Sequence, residues 1–286
     1  MNGFLNVIKP VGATASDVVV KLKYILHEKK IGHLGTLDPG ASGVLPIAVG
    51  QATRLFDFLT DKVKCYRAFI TLGKTTDTLD SYGIISDTNS HLPTECEFKG
   101  VLNGFVGEID QVPPIYSAKS VGGVRSYKLA RSGIEVELKS RRITVFDIEF
   151  VKQQSLDTFV VDISCSAGTY IRSLARDIAY ACNTVGYMSG LIRLRSGCFD
   201  IGNALTLDEI CDLKESALLD IEYPLRDIER LDLPDDRYQD LDFGRKIACP
   251  FIEGYKRIYC KNVFFGLGKN VDGYLKIQYY LKALFR

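Results

Sequence analysis

The sequence is poor in metal-binding residues. Its only histidines are His27, His33 and His91, and they form no H-E-x-x-H motif or His/Asp cluster. The eight cysteines, from Cys65 to Cys260, include no C-x-x-C pair. A zinc site is therefore not expected. The cysteines lie in apolar runs and read as small buried hydrophobes. Long apolar runs are missing as well: none reaches the roughly 18 residues that a membrane span needs. The opening MNGFLNVIKP lacks the basic and apolar regions of a signal peptide. The reducing cytoplasm is the expected home, with no membrane partner. G-x-S-x-G and a Walker A lysine loop are absent, which removes the usual signals of acyl-enzyme hydrolysis and nucleoside triphosphate chemistry. A surplus of charge is absent too. The formal net charge is +1, so bulk charge gives no support for a nucleic-acid partner, and any basic face must be local. No repeat or low-complexity tract is visible.

What is present suffices for a large core. A chain of 286 residues with 46% hydrophobic content suits one big domain and a smaller one. After FLNVI and the loop KPVGATAS, SDVVVKLKYIL predicts a helix capped by Ser16, with Val18, Leu22, Ile25 and Leu26 on one face. VLPIAVG reads as a short buried strand and QATRLFDFLT as a helix. KCYRAFITL alternates, with Tyr66, Ala68, Ile70 and Leu72 sharing a face. ECEFKGVLNGFVG suggests a helix broken at glycine, and a short helix is expected near YKLARSG. RRITVFDIEFV and TFVVDISCS read as strands. SAGTYIRSLARDIAYACN reads as a strand-to-helix turn, LIRLRSGCFDI as a strand, and LTLDEICDLKESALL as a helix capped near Thr206. Residues 226–242 are acidic and loop-like and read as a linker. The last 60 or so residues carry strands separated by Gly, Asn and Asp turn signals.

The chemistry left available is a metal-free site of carboxylate, tyrosine and arginine. Residues 32–43 read GHLGTLDPGASG. Pro39 biases Asp38 toward an extended backbone, and the glycines permit close approach. An aspartate before Pro-Gly is most often a turn former. The other reading is a reactive carboxylate on a loop built to hold it. Tyr66 is either strand packing or a site residue. Tyr170 and Arg172 begin a helix and either face solvent or reach the site. In the latter case Arg172 would pair with a carboxylate such as Asp38 and keep it ionised. Cations recur singly, among them Lys9, Arg125, Arg141, Arg142, Arg193 and Arg195. With nearby aromatics they would suit a folded RNA, gripped at phosphates and at splayed bases.

Six stretches carry a family resemblance. They are NVIKPVGATASDVV, GHLGTLDPGASGVLPIAVGQATR, KCYRAFITLGKTTDTLDSYG, QVPPIYSAKSVGGVRSYKLARSG, SAGTYIRSLARDI and LIRLRSGCFDI. In this order the chain resembles the bacterial tRNA pseudouridine synthases of the TruB family, densely over residues 3–200. The tail FFGLGKNVDGYLKI is similar to that family's PUA-like RNA-binding domain, though short. The resemblance implies an α+β fold, with a mixed, largely antiparallel sheet flanked by helices around an RNA-binding cleft. It implies a catalytic domain over residues 1–225 and a small β-rich domain over 226–286.

The implied activity is isomerisation of the T-loop uridine at tRNA position 55 to pseudouridine, without metal or cofactor. The implied partner is the tRNA T-stem-loop rather than DNA, and a monomer is expected. By the same resemblance Asp38 is the catalytic aspartate, Tyr66 stacks on the target uracil, and Tyr170 and Arg172 are the active-site tyrosine and the aspartate's partner. His33 would contact the T-loop, Lys9 support the core of the site, Asp77 shape the RNA-facing cleft, and Leu191 line the uracil pocket. A non-catalytic RNA-folding protein would use the same cleft without requiring Asp38. An RNA-guided synthase in a larger complex would usually be longer and basic-tailed. A sugar-processing enzyme would need a second site carboxylate, from Asp77 or Asp177.

Overall fold

The computed structural model describes residues 1–60, 62–116, 120–121, 124–125, 139–249 and 253–282. The helix expected near YKLARSG lies outside these residues. The chain begins with β1 (Gly3–Lys9), α1 (Ala15–Leu26), β2 (Ile31–His33), β3 (Ala41–Val49) and α2 (Phe56–Thr60). It continues through β4 (Lys64–Leu72), β5 (Lys74–Thr76), β6 (Ile85–Thr88), α3 (Glu95–Leu102) and β7 (Gly107–Gln111). The short pair β8 (Ser120–Val121) and β9 (Val124–Arg125) precedes β10 (Arg141–Gln153) and β11 (Thr158–Cys165). Then come α4 (Ile171–Ala181), β12 (Gly186–Ser196), β13 (Phe199–Asp200) and α5 (Leu207–Leu213). The last part holds β14 (Arg230–Leu233), α6 (Tyr238–Asp242), β15 (Ile247–Ala248), β16 (Lys256–Cys260), β17 (Val263–Val271) and β18 (Tyr274–Tyr280).

The main sheet runs β1-β3-β12-β4-β11-β10-β7, with β2 added to β3 and β13 to β12. All pairings are antiparallel except β3 with β12, where Ala41, Ser42 and Gly43 lie parallel to Leu191, Ile192 and Arg193. The sheet is thus mixed and largely antiparallel, as expected. Along one edge of β3, β1 pairs over its whole length. The other edge is divided: β2 takes residues 47–49 and β12 takes residues 41–43. The GHLGTLDPGASG loop leaves β2 and re-enters β3 at that fork.

Helices α3 and α4 cover β4, β10 and β11 through Phe98, Leu174 and Ile178, and Phe98 stacks on Phe159 at 4.2 Å between ring centres. Helices α1 and α5 cover β1 and β3. The β1 segment is apolar on both faces because both are buried. Leu5 and Val7 meet α1, while Phe4 meets a cluster that includes Leu267 and Leu281 of the tail. A second sheet, β14-β16-β17-β18-β15, therefore packs against the back of the first. Its hairpins turn at Lys261-Asn262 and Asp272-Gly273, all four with positive φ, which matches the twist of the flanking strands.

Five local expectations change, the first being that Cys96, Cys198 and Cys211 are exposed rather than buried. Thr14, not Ser16, caps α1, and it forms a capping box with Asp17. The stretch QATRLFDFLT is a 3-10 turn, Gly50–Leu55, followed by the five residues of α2. Gly100 does not break α3, which ends at Leu102. The 226–242 stretch is not a free linker: β14 pairs in parallel with β16, and α6 follows. Acidic side chains fit there because β14 is an edge strand whose alternate residues face water.

Candidate active site

The backbone of Asp38 does form a turn, with Ala41 N donating to Asp38 O at 3.0 Å. Its carboxylate takes no part in that bond. Oδ2 lies 3.1 Å from Arg172 Nε. The main chain therefore turns, as one reading of the motif expects, and the turn presents the carboxylate to a cation.

Two buried cations brace this loop from behind. Lys9 has no exposed surface, and its ammonium donates to Pro10 O at 2.8 Å, Ala13 O at 2.6 Å and Pro39 O at 3.3 Å. All three of its donors are thereby used. Burial lowers its pKa, and the nearby Asp38 charge works against that shift. Gly12 N reaches the same Pro39 carbonyl at 2.8 Å, so the KPVGATAS loop grips the residue next to Asp38. Arg193 is the second cation. It is fully buried on β12, with Nε donating to Val44 O at 2.6 Å and Nη1 to Thr36 O at 3.3 Å. It was counted among the cations available to RNA, but it faces inward. Gly43 makes this join possible: its φ is +100°, and a Cβ there would meet Arg193 O at 2.3 Å.

Arg172 is the hub of the site. Its side chain is 8% exposed. Besides Asp38 it meets Asp80 Oδ2 through Nη1 at 3.3 Å, and it donates to Thr78 O and Tyr116 O at 3.0 Å each. Helix α4 delivers it from the first turn, two residues after the N-cap Tyr170.

Leu37, Asp38, Lys64, Tyr66, Tyr116, Tyr170, Arg172, Met188 and Leu191 are among the residues lining a cavity of about 360 Å³. That volume falls within the range of small-molecule clefts. Tyr66 comes from β4 and is buried; burial raises its pKa and keeps it a phenol, although Arg193 pulls the other way. Lys64 holds the rim, donating to Thr60 O at 2.9 Å and Lys62 O at 3.0 Å. A second cavity of about 330 Å³ lies beyond Asp38 and Arg172 and is lined by Pro39, Gly40, Asp80, Ser81, Tyr82 and Ser189, among others.

Of the residues named from sequence, Asp38, Tyr66, Tyr170, Arg172 and Leu191 line the first cavity, and Lys9 sits behind it. His33 and Asp77 do not line it. His33 ends β2, and burial depresses its pKa. Asp77 Oδ1 accepts from Ile84 N at 2.8 Å and closes its own loop. The carboxylate that reaches the site from this loop is Asp80, which the sequence reading missed. Its signal was a second aspartate three residues on in DTLD. Asp177 pairs with Arg176 at 2.7 Å and stays apart from the site. Among the described residues no cluster of three or more His, Cys, Asp or Glu side chains could hold a metal.

The family model for the TruB family pseudouridylate synthase, N-terminal domain, matches residues 23–171. A tRNA pseudouridine synthase B from Clostridium perfringens is 39% identical over 97% of this chain and 98% of its own. One from Syntrophomonas wolfei is 43% identical over 87% and 85%. Among solved structures, an H/ACA RNP bound to a substrate RNA containing 2'-deoxyuridine has a TM-score of 0.71 and 27% identity, covering 93% of this chain and 77% of that one. A Cbf5-Nop10-Gar1 complex has a TM-score of 0.72 and 29% identity, covering 93% and 78%. With nearly the whole length matched and the Asp38 loop inside the matched segment, this chain belongs to the TruB family of pseudouridylate synthases.

Proposed function

We infer that this chain converts a uridine of tRNA to pseudouridine, and that its target is the T-loop uridine at position 55. One observation carries the reading: a half-exposed carboxylate, Asp38, held by a buried arginine at the mouth of a cavity lined by Tyr66 and Leu191. The bond to be broken is out of reach in a stacked nucleotide, so the uridine must be flipped out, at a cost of a few kcal/mol. Stacking of the uracil on Tyr66 would return about 1–3 kcal/mol.

The reaction breaks N1–C1′ and forms C5–C1′. The C5 proton leaves and N1 gains one, so nothing is oxidised or reduced overall. Asp38 is the nucleophile or base in this scheme, and Arg172 sets its position. Tyr170 and Leu191 bound the uracil, and Lys9 holds the Pro39 carbonyl beside the carboxylate. His33 and Asp77 would act on RNA outside the first cavity, His33 from the strand leading into the loop. The residues from 226 onward would form a PUA-like domain that touches the tRNA beyond the T-loop. Phe243 is 71% exposed there, with the Arg245 guanidinium 5.4 Å from its ring centre, a pairing that suits a stacked base.

The test is release of C5 tritium from a labelled, unmodified tRNA transcript, with wild type and Asp38→Ala side by side. Release by wild type alone supports the reading. Retained binding with no release from either protein would mark an RNA-binding protein on a synthase fold.

A further inference from the structure

The N-terminus of α4 is held by a side chain that lies outside the catalytic cavity. Gln111, the last residue of β7, is 1% exposed. Its Nε2 donates to Tyr170 O at 3.0 Å, and its Oε1 accepts from Tyr170 N at 2.8 Å. A carboxamide offers one donor and one acceptor at the spacing of a peptide group. Gln111 thus pairs with Tyr170 as a neighbouring strand would.

We propose that Gln111 is a positioning residue for the isomerisation, fixing the backbone of Tyr170 and through it the guanidinium of Arg172. This rests on the uridine-isomerising reading of the site. The chain just beyond Gln111 supports it. Ser173 Oγ donates to Val112 O at 2.8 Å, and Arg172 Nη2 donates to Tyr116 O at 3.0 Å. Residues 111–116 therefore run along the first turn of α4, and Gln111 is the point where this run is anchored to the sheet. Tyr170 gives α4 no side-chain cap, and the acceptor of its own N–H is Gln111 Oε1. Loss of the amide would take from that N–H its protein acceptor, and it would free the turn that aims Arg172 at Asp38.

The test compares wild type, Gln111→Leu and Gln111→Glu for tritium release, tRNA affinity and thermal unfolding. Gln111→Leu should lower turnover by about 10²-fold, the cost of a displacement near 1 Å, with tRNA affinity unchanged. Gln111→Glu supplies a readout that packing alone would not move. As a carboxylate it can accept from Tyr170 N but sets an oxygen against Tyr170 O. As a neutral acid it can do both tasks of the amide. Its turnover relative to wild type should therefore rise as pH falls from about 8 to about 5.5, the range in which a buried carboxyl titrates. Wild-type turnover by Gln111→Leu would overturn the assignment. So would a Glu-to-wild-type ratio that is flat with pH, whether or not the Leu variant folds. Absence of release from wild type itself would instead overturn the parent reading, and this assignment with it.

Discussion

Arg172 Nε lies 3.1 Å from Asp38 Oδ2, and the same guanidinium reaches Asp80 Oδ2 at 3.3 Å. One cation is shared by two carboxylates, 43% and 17% exposed. This asymmetry orders the effects of mutation. Arg172→Ala removes the cation that both carboxylates face, while Asp80 Oδ1 keeps its bonds from Thr78 Oγ1 and Tyr82 N. Breaking a buried pair costs about 3–5 kcal/mol, and the exposure of Asp38 places this one near the lower end. Asp80→Asn keeps the shape and removes one charge, so it should cost less stability while loosening Arg172 and slowing turnover. Urea midpoints with tritium release check the order; a fully stable Arg172→Ala would mean that the ion triad does not hold the loop.

Gly43 gives a prediction about the frame. A Cβ at this position would strike the Arg193 backbone, and the φ of +100° is itself strained for any other residue. Gly43→Ala should therefore destabilise the chain by at least about 1–3 kcal/mol. It should also lower turnover in the surviving folded protein, because the parallel join beside Asp38 is disturbed. Gly12→Ala is a useful contrast: its φ is +89°, but no atom lies within 4 Å of the added Cβ. A smaller loss is expected there, and equal losses would show that strain, not collision, dominates at Gly43.

His33 predicts a pH dependence of stability. Burial holds its folded pKa below the ordinary 6.5, with Arg193 adding a smaller push the same way. Below that value the unfolded chain takes up a proton that the folded chain refuses. The contribution is complete above pH 6.5 and is lost as pH falls toward the folded pKa. Thermal midpoints of wild type and His33→Gln should converge as pH is lowered through this window. Parallel curves would show that His33 does not titrate differently on folding.

The tail predicts a selective loss of RNA affinity. Deleting residues after about 228 is a poor probe, because Leu267, Leu281 and Tyr279 complete a core shared with Phe4 and Leu55. Such a truncation should unfold or aggregate. Phe243→Ala with Arg245→Ala removes an exposed pair instead. It should weaken binding of whole tRNA and spare an isolated T-stem-loop, with about 1–3 kcal/mol at stake per stacked base. Equal loss for both RNAs would argue against a contact beyond the T-loop.

Much of this arrangement was legible in the sequence, for identifiable reasons. Alternation in KCYRAFITL put Tyr66 on the buried face, and the glycine before TYIRSLARD placed Arg172 in the first turn of a helix. Those are local signals. The partner of Asp38 was legible only as a chemical need, met by family resemblance. Arg193 was misplaced because a strand arginine reads the same whether it faces water or the carbonyls of Thr36 and Val44. Asp80 was missed because Asp77 and Asp80 share one loop, and their roles separate only in the fold, where Asp77 accepts from Ile84 N and Asp80 meets Arg172. The 226–242 segment looked like a linker because an edge strand carries the polar composition of a loop.

The parallel join of β3 and β12 also bears on when the site comes into existence. Arg193 and Val44, bonded across it, are 149 residues apart in sequence. Closing so long a loop is entropically slow, and contacts of this kind form late in folding. On the ribosome the aspartate loop and Lys9 are made early, but the second brace, Arg193, and the partner Arg172 emerge only when more than half of the chain has been synthesised. A nascent chain can therefore carry the whole GHLGTLDPGASG motif and still be catalytically silent. The site would be complete only once β12 has docked beside β3.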